Sequence, residues 1–227
     1  MTPERGGVRR YLDTVKPEEY VPNVGEVDLT EMSLTGLADL YGSDKGKIKH
    51  RYTEVYERLI ANLSPDRQAA LSVGEIGVAC GASLRMWANY LPNAKIEGFD
   101  IRPECASLCQ NLPNVTITIA DPRNTNRPGQ YDLLIDDGSH ISEDIVGTLV
   151  HCQNWVKPGG FYVIEDMACT YSPEYTAKFN QHFGQTKKND RNLLLTLFDQ
   201  LSRMIDGKAG TFTEMHYYPQ MWVLKKR

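Results

Sequence analysis

The chain has 227 residues, 41% of them hydrophobic, with 18 glycines and a formal charge of −4 from 25 basic and 29 acidic side chains. Hydrophobic residues and glycine together fall in the range of about 45–50% found for soluble globular domains, and a core of this size buries roughly 70% of the unfolded surface. This excludes disordered, collagenous and coiled-coil chains. No run of about 18 apolar residues occurs, so no membrane span is expected. The opening MTPERGGVRRYLD lacks the apolar segment of a secretory leader. The slight acidity, with no basic run before Lys225-Lys226-Arg227, argues against a nucleic-acid partner. Cys80, Cys105, Cys109, Cys152 and Cys169 show neither C-x-x-C nor zinc spacing. Reduced, mostly buried thiols in a cytoplasmic protein are expected.

Residues 1–33 are polar and contain Pro17 and Pro22; they read as an arm before a single domain at 34–227. Helical spacing joins Leu34, Leu37, Ala38 and Tyr41 and stops at Gly42. A second helix is predicted over 52–63, a strand over 72–77, a helix over 83–90 and a strand over 95–99. A helix over 103–112 would carry Cys105 and Cys109 on one face. Strands follow at 115–119 and 131–135, a helix at 142–155 and a strand at 161–164. The polar stretch around 170–190, with Tyr171, Tyr175 and His182, reads as an irregular substrate lid. A helix over 191–205 has an apolar stripe through Leu194, Leu197, Phe198, Leu201 and Ile205, and a hairpin of 211–216 with 221–224 closes the chain. Strands separated by helices predict an α/β, doubly wound, mostly parallel sheet, to which the hairpin adds an antiparallel edge.

Four successive strands end in acids: Asp100, Asp121, Asp136-Asp137 and Glu165-Asp166. In an open parallel sheet, ligands bind beyond the carboxyl ends of the strands near the switch point, so these acids converge on one rim. Carboxylates desolvated side by side need ion pairs, hydrogen bonds or a metal. Capping of a following turn competes as an explanation for Asp121, but fits two adjacent acid pairs poorly. After the first strand comes the glycine turn Glu75-Ile-Gly77-Val-Ala-Cys-Gly81. Asp100 follows about 20 residues later, where a carboxylate suits a ribose diol. The G-x-x-x-G spacing departs from the dinucleotide pattern, and Glu75 suits an ammonium and a sulfonium better than a pyrophosphate. That favours S-adenosylmethionine over a nicotinamide cofactor.

Neighbouring strands lie about 4.8 Å apart, so Asp137, Glu165 and Asp166 can share one cation. Their oxygen donors select a hard ion, Mg²⁺ first, with Ca²⁺ or Mn²⁺ as the other candidates. His140, three residues after Asp137, is placed either to take a proton from a hydroxyl at that rim or to serve as a supporting residue at the start of the next helix.

Taken together, VGEIGVACGASLRMW, YDLLIDDGSH, KPGGFYVIEDM and the upstream LADLYGSDKGKIKHRYTEVYERL resemble the metal-dependent sugar methyltransferases that tailor glycosylated antibiotics, a class I family that includes the macrocin and mycinamicin O-methyltransferases. The resemblance spans about residues 34–167. It implies S-adenosylmethionine-dependent methyl transfer to a hydroxyl or an amine on the sugar of a small-molecule glycoside, a macrolide or an aminoglycoside. It implies metal ligands at Asp137, Glu165 and Asp166 and a base at His140. Cofactor contacts map onto Glu75, Gly77, Ser83, Asp100, Asp121 and Asp136, with Lys45 and Tyr52 over the methionine end. A homo-oligomer, at its simplest a dimer, is expected; the short arm departs from the longer N-terminus common in the family. A catechol-type O-methyltransferase would use a similar acid cluster but needs a flat apolar clamp, for which neither Trp87 nor Trp155 is suitably placed. A non-catalytic adenosine-binding protein would need no metal.

Overall fold

The computed structural model describes residues 28–227, so most of the predicted arm lies outside the described residues. Its elements are α1 (Leu34–Tyr41), α2 (Thr53–Leu63), β1 (Ser72–Ile76), α3 (Ala82–Tyr90), β2 (Lys95–Asp100), β3 (Val115–Ile119), β4 (Tyr131–Asp136), α4 (Ser142–Cys152), β5 (Val156–Ile164), α5 (Pro173–Phe183), α6 (Arg191–Asp206), β6 (Phe212–Tyr218) and β7 (Met221–Lys226). The strands form one seven-stranded sheet in the order β3-β2-β1-β4-β5-β7-β6. β1 to β5 are parallel, while β7 runs antiparallel to both β5 and β6. The order turns back between β1 and β4, which opens a crevice beyond their carboxyl ends.

The period-2 alternation of the strands explains the two-sided core. Val73, Ile135, Val163 and Val223 face one side, where Leu37, Tyr56, Leu59, Leu84 and Met86 from α1, α2 and α3 cover them. Leu134, Tyr162, Ile164 and Leu224 face the other, under Ile145 and Leu149 of α4 and Leu194, Leu197 and Leu201 of α6. Local signals set the helix ends. Ser33 accepts from the Gly36 amide at the start of α1, and Gly42 closes α1 in the left-handed conformation.

Two expected elements differ. Only Pro103–Ser107 is helical in the predicted 103–112 segment, as a short 3-10 turn, and Cys109 has φ +58°. The two thiols do not share a helix face; they reach the carbonyls of Ala79 and Gly81, tying this connection to the glycine turn. The predicted irregular lid contains α5. Ser172 caps that helix, Pro173 occupies its first position and Gly184 ends it in the left-handed region. Smaller shifts are the end of α4 at Cys152, followed by a turn at Gln153–Trp155, and the start of β5 at Val156. Among the described residues, all five cysteines are free thiols and no helix is long and apolar enough to cross a membrane.

Candidate active site

The crevice between β1 and β4 is held by backbone contacts. The Asp137 amide donates to the Ile76 carbonyl, and the Glu165 amide donates to the Asp136 carbonyl. Gly77 turns away from β1 at φ +94°, and a Cβ there would lie 2.1 Å from the Asp137 carbonyl oxygen. Only glycine permits that approach. The ends of β1, β4 and β5 are therefore one rigid floor, and the strand-end acids stand on it.

Lys45 enters this floor from the loop after α1. It is fully buried. Its Nζ lies 2.5 Å from Asp137 Oδ2, 2.6 Å from Glu165 Oε2 and 3.5 Å from Glu75 Oε1. Glu75 is closed further by Ser83 Oγ at 2.5 Å and Trp87 Nε1 at 2.8 Å. Tyr56 donates its hydroxyl to Glu165 Oε1, and Tyr52 donates to Asp166 Oδ1 at 2.6 Å. Burial pushes the Glu165 and Asp137 carboxyls up, and the neighbouring acids add to this against the Lys45 charge. Asp136, 5% exposed, is likewise pushed up by burial to about 7.

His140 sits at φ +53° and Asp166 at φ +54°. Each left-handed non-glycine residue costs on the order of 1 kcal/mol, and such strain collects at functional sites. The His140 ring is 7% exposed and makes no hydrogen bond among the described residues; its Nε2 lies 3.7 Å from Asp137 Oδ1 and 3.8 Å from Asp166 Oδ2. Burial lowers its pKa, keeping the ring neutral near pH 7. The Tyr175 ring on α5 stands over it, and the Tyr175 hydroxyl donates to the Ser139 carbonyl.

The acids of β2 and β3 are closed locally. Asp100 accepts from the Val78 and Ala79 amides and from the amide and guanidinium of Arg102. Burial alone would raise its pKa, but these donors outweigh it and hold the carboxyl below its ordinary value. Asp121 caps the turn at Pro122–Asn124 and takes a forked contact from Arg123, whose hydrogen bonds lower its pKa.

The structure thus brings Lys45, Glu75, Ser83, Asp137 and Glu165 into one network, and Asp137, His140 and Asp166 to one point. Glu165 is not part of that point: it is directed inward, to Lys45 and Tyr56. Lys45, expected over the methionine end of a cofactor, is instead enclosed by carboxylates. Asp121, Asp100, Gly77 and Asp136 follow one another along the rim in the order of β3, β2, β1 and β4. Sequence reading missed Tyr56, although Tyr52 and Tyr56 are one helical turn apart and their hydroxyls reach the consecutive acids Asp166 and Glu165. Trp87 and Trp155 are both buried, so neither provides a catechol clamp. For a divalent ion the donor set fits at Asp137 and Asp166, whose free oxygens flank an unpartnered imidazole.

No family model matches the chain. It is 31% identical over 221 residues to the 8-demethyl-8-alpha-L-rhamnosyl tetracenomycin-C 2'-O-methyltransferase of Streptomyces olivaceus, covering 86% of this chain and 54% of the relative. The chain is a homologue of antibiotic-sugar O-methyltransferases. The demethylmacrocin O-methyltransferase of Streptomyces fradiae is 30% identical over 201 residues, covering 83% of this chain and 49% of that protein. The chain spans about half the length of these curated relatives. Among solved structures, the MycE methyltransferase of the mycinamycin biosynthetic pathway, in complex with Mg, SAH and mycinamycin VI, superposes with a TM-score of 0.68 at 27% identity. That match covers 86% of this chain and 55% of the other. The doubly wound sheet with its antiparallel C-terminal strands is the methyltransferase fold.

Proposed function

We propose that the chain transfers the methyl group of S-adenosylmethionine to a sugar hydroxyl of a glycosylated natural product, with a divalent cation, Mg²⁺ first, at Asp137 and Asp166. The observation that carries this reading is the buried, unpartnered imidazole of His140 between two carboxylates at the switch point. The printed names of the relatives support oxygen as the acceptor, and the Mg and SAH of the MycE complex support the cofactor and ion.

A bound divalent ion supplies Lewis acidity toward a hydroxyl and S-adenosylmethionine supplies the electrophilic methyl. The rest falls to the chain. Asp100 offers carboxylate oxygens to a ribose diol, Asp121 and Asp136 border the adenosine side, and Gly77 leaves room at the turn. Tyr52 holds Asp166 in place through its hydroxyl. Lys45 holds Glu165 and one oxygen of Asp137, which leaves the other Asp137 oxygen facing His140. His140 Nε2, neutral and without another partner, accepts the hydroxyl proton as the methyl is displaced. α5, with Tyr175, covers the histidine and keeps water from it.

The test is methyl transfer to macrolide and other glycoside acceptors, read by mass, with and without EDTA. His140→Ala should lower turnover by about 10²–10⁴-fold, as expected for loss of a general base, and Asp137→Ala should abolish the Mg²⁺ dependence together with turnover. Full turnover in Asp137→Ala sinks the cation assignment, and a loss under about tenfold in His140→Ala sinks the base.

A further inference from the structure

The loop between α1 and α2 places a second donor set beside the first. Asp44 and His50 are brought together because the His50 amide donates to the Asp44 carbonyl, folding the loop back on itself. His50 Nε2 lies 3.9 Å from Asp44 Oδ2 and 3.9 Å from Asp166 Oδ1. One donor atom from each of the three residues lies within 4.8 Å of the others. Donors bound to one ion at about 2.0–2.2 Å are separated by roughly 3 Å when adjacent and 4.3 Å when opposite, so these spacings suit a shared ion.

Two of the three side chains, Asp44 and His50, make no side-chain hydrogen bond among the described residues. Asp44 is 7% exposed, and its carboxylate accepts no hydrogen bond among the described residues; its near polar neighbour is the His50 ring. With no protein donor on them, both carboxylate oxygens are open to a cation. The His50 ring is stacked on Tyr52, centroids 5.0 Å apart at 16°, which fixes its direction. Tyr52 in turn donates to the same Asp166 oxygen.

Charge points the same way. Asp44, Glu75, Asp137, Glu165 and Asp166 are five carboxylates within one network, and Lys45 is the ammonium among them. With all five ionised, Lys45 and one divalent ion compensate three of them, and a second divalent ion meets the other two.

We infer that Asp44, His50 and Asp166 form a second divalent-cation site, with Asp166 bridging it to the Asp137–His140 side. An imidazole with two carboxylates favours a transition-metal ion that accepts a nitrogen donor, Mn²⁺ or Co²⁺, over Mg²⁺. Carboxylate-bridged pairs of this kind sit about 3.5–4 Å apart. Loading the site ties the 42–51 loop to the end of β5. The inference rests on the proposed function only in sharing Asp166 with the first cation.

The test is a titration of the full chain with MnCl₂ alone, without acceptor, followed by calorimetry and electron paramagnetic resonance. The wild type should take up two Mn²⁺ and show an exchange-coupled signal. His50→Phe keeps the ring on Tyr52 but removes the ligand; it should bind one Mn²⁺ with an uncoupled signal, as should Asp44→Asn. Asp137→Asn should lose the other ion. Two ions retained in both His50→Phe and Asp44→Asn overturn the site. So does a wild-type stoichiometry of one that survives in His50→Phe, which leaves the Asp137 assignment standing. A single ion lost from every variant also overturns the second site. A single ion lost in His50→Phe but kept in Asp137→Asn upholds the second site and sinks the first. No Mn²⁺ uptake at all removes both.

Discussion

The acid rim has two halves built on different principles. On the β2–β3 side, Asp100 and Asp121 are each met by an arginine two residues later, Arg102 and Arg123, and by nearby backbone amides. On the β4–β5 side, Asp137 and Glu165 are met by Lys45, which lies 92 and 120 residues away in the chain. The first half is self-contained: its carboxyls are held below their ordinary values. The second is burdened: burial raises Asp136, Asp137 and Glu165 together. Local pairing gives a carboxylate that stays charged. Distant pairing gives a desolvated cluster that one ammonium cannot balance, and such a cluster is suited to hold cations.

The sharpest way to break this contrast is to remove the distant cation. Lys45→Met leaves Glu165, Asp137 and Glu75 buried without their shared partner, and losing one member of a buried charge network costs about 3–5 kcal/mol. Urea unfolding at pH 8 should show that loss. A change below about 1 kcal/mol would mean that Lys45 is a passenger. A smaller effect is expected at the inner wall. Trp87→Phe removes the indole N–H from Glu75 and should cost about 1–3 kcal/mol, the penalty of a buried acceptor left short of a donor. Retained wild-type stability would show that Ser83 and Lys45 suffice for Glu75.

The self-contained half yields the mildest signature, and it appears in acid. The Asp100 pKa is lower in the folded chain than in the unfolded one. Its contribution is therefore complete above the unfolded value of about 4 and disappears as pH falls through the folded value. Asp100→Asn lacks this contribution, so its unfolding free energy should vary less with pH between about 5 and 2 than that of the wild type. An identical pH slope in the two proteins would show that Arg102 does not hold Asp100 as the structure implies.

How much of this was legible beforehand follows from distance along the chain. The strands, the glycine turn and the acids at the strand ends are local patterns of alternation and punctuation, and apart from the start of β5, five residues earlier than expected, they lie within a residue or two of their expected places. α5 also carried a local signal, Ser172 before Pro173 and Gly184 after Phe183, but the polar composition of the segment masked it. The short turn after β2 could not be read, because contacts from Cys105 and Cys109 to the glycine turn displace the helix that its spacing suggested.

By itself, the sequence determined the α/β alternation, the acid at each strand end and the glycine turn after β1, since each depends on neighbouring residues and simple sterics. Tertiary structure alone decided what those acids do. Strand order set β1 beside β4 and β4 beside β5, the loop after α1 then delivered Lys45, Asp44 and His50 from far upstream, and burial made their pairing obligatory. Glu165 turned inward to Lys45, Asp166 turned to His140, and Asp137 divided its two oxygens between them, a division that only the packed crevice could make.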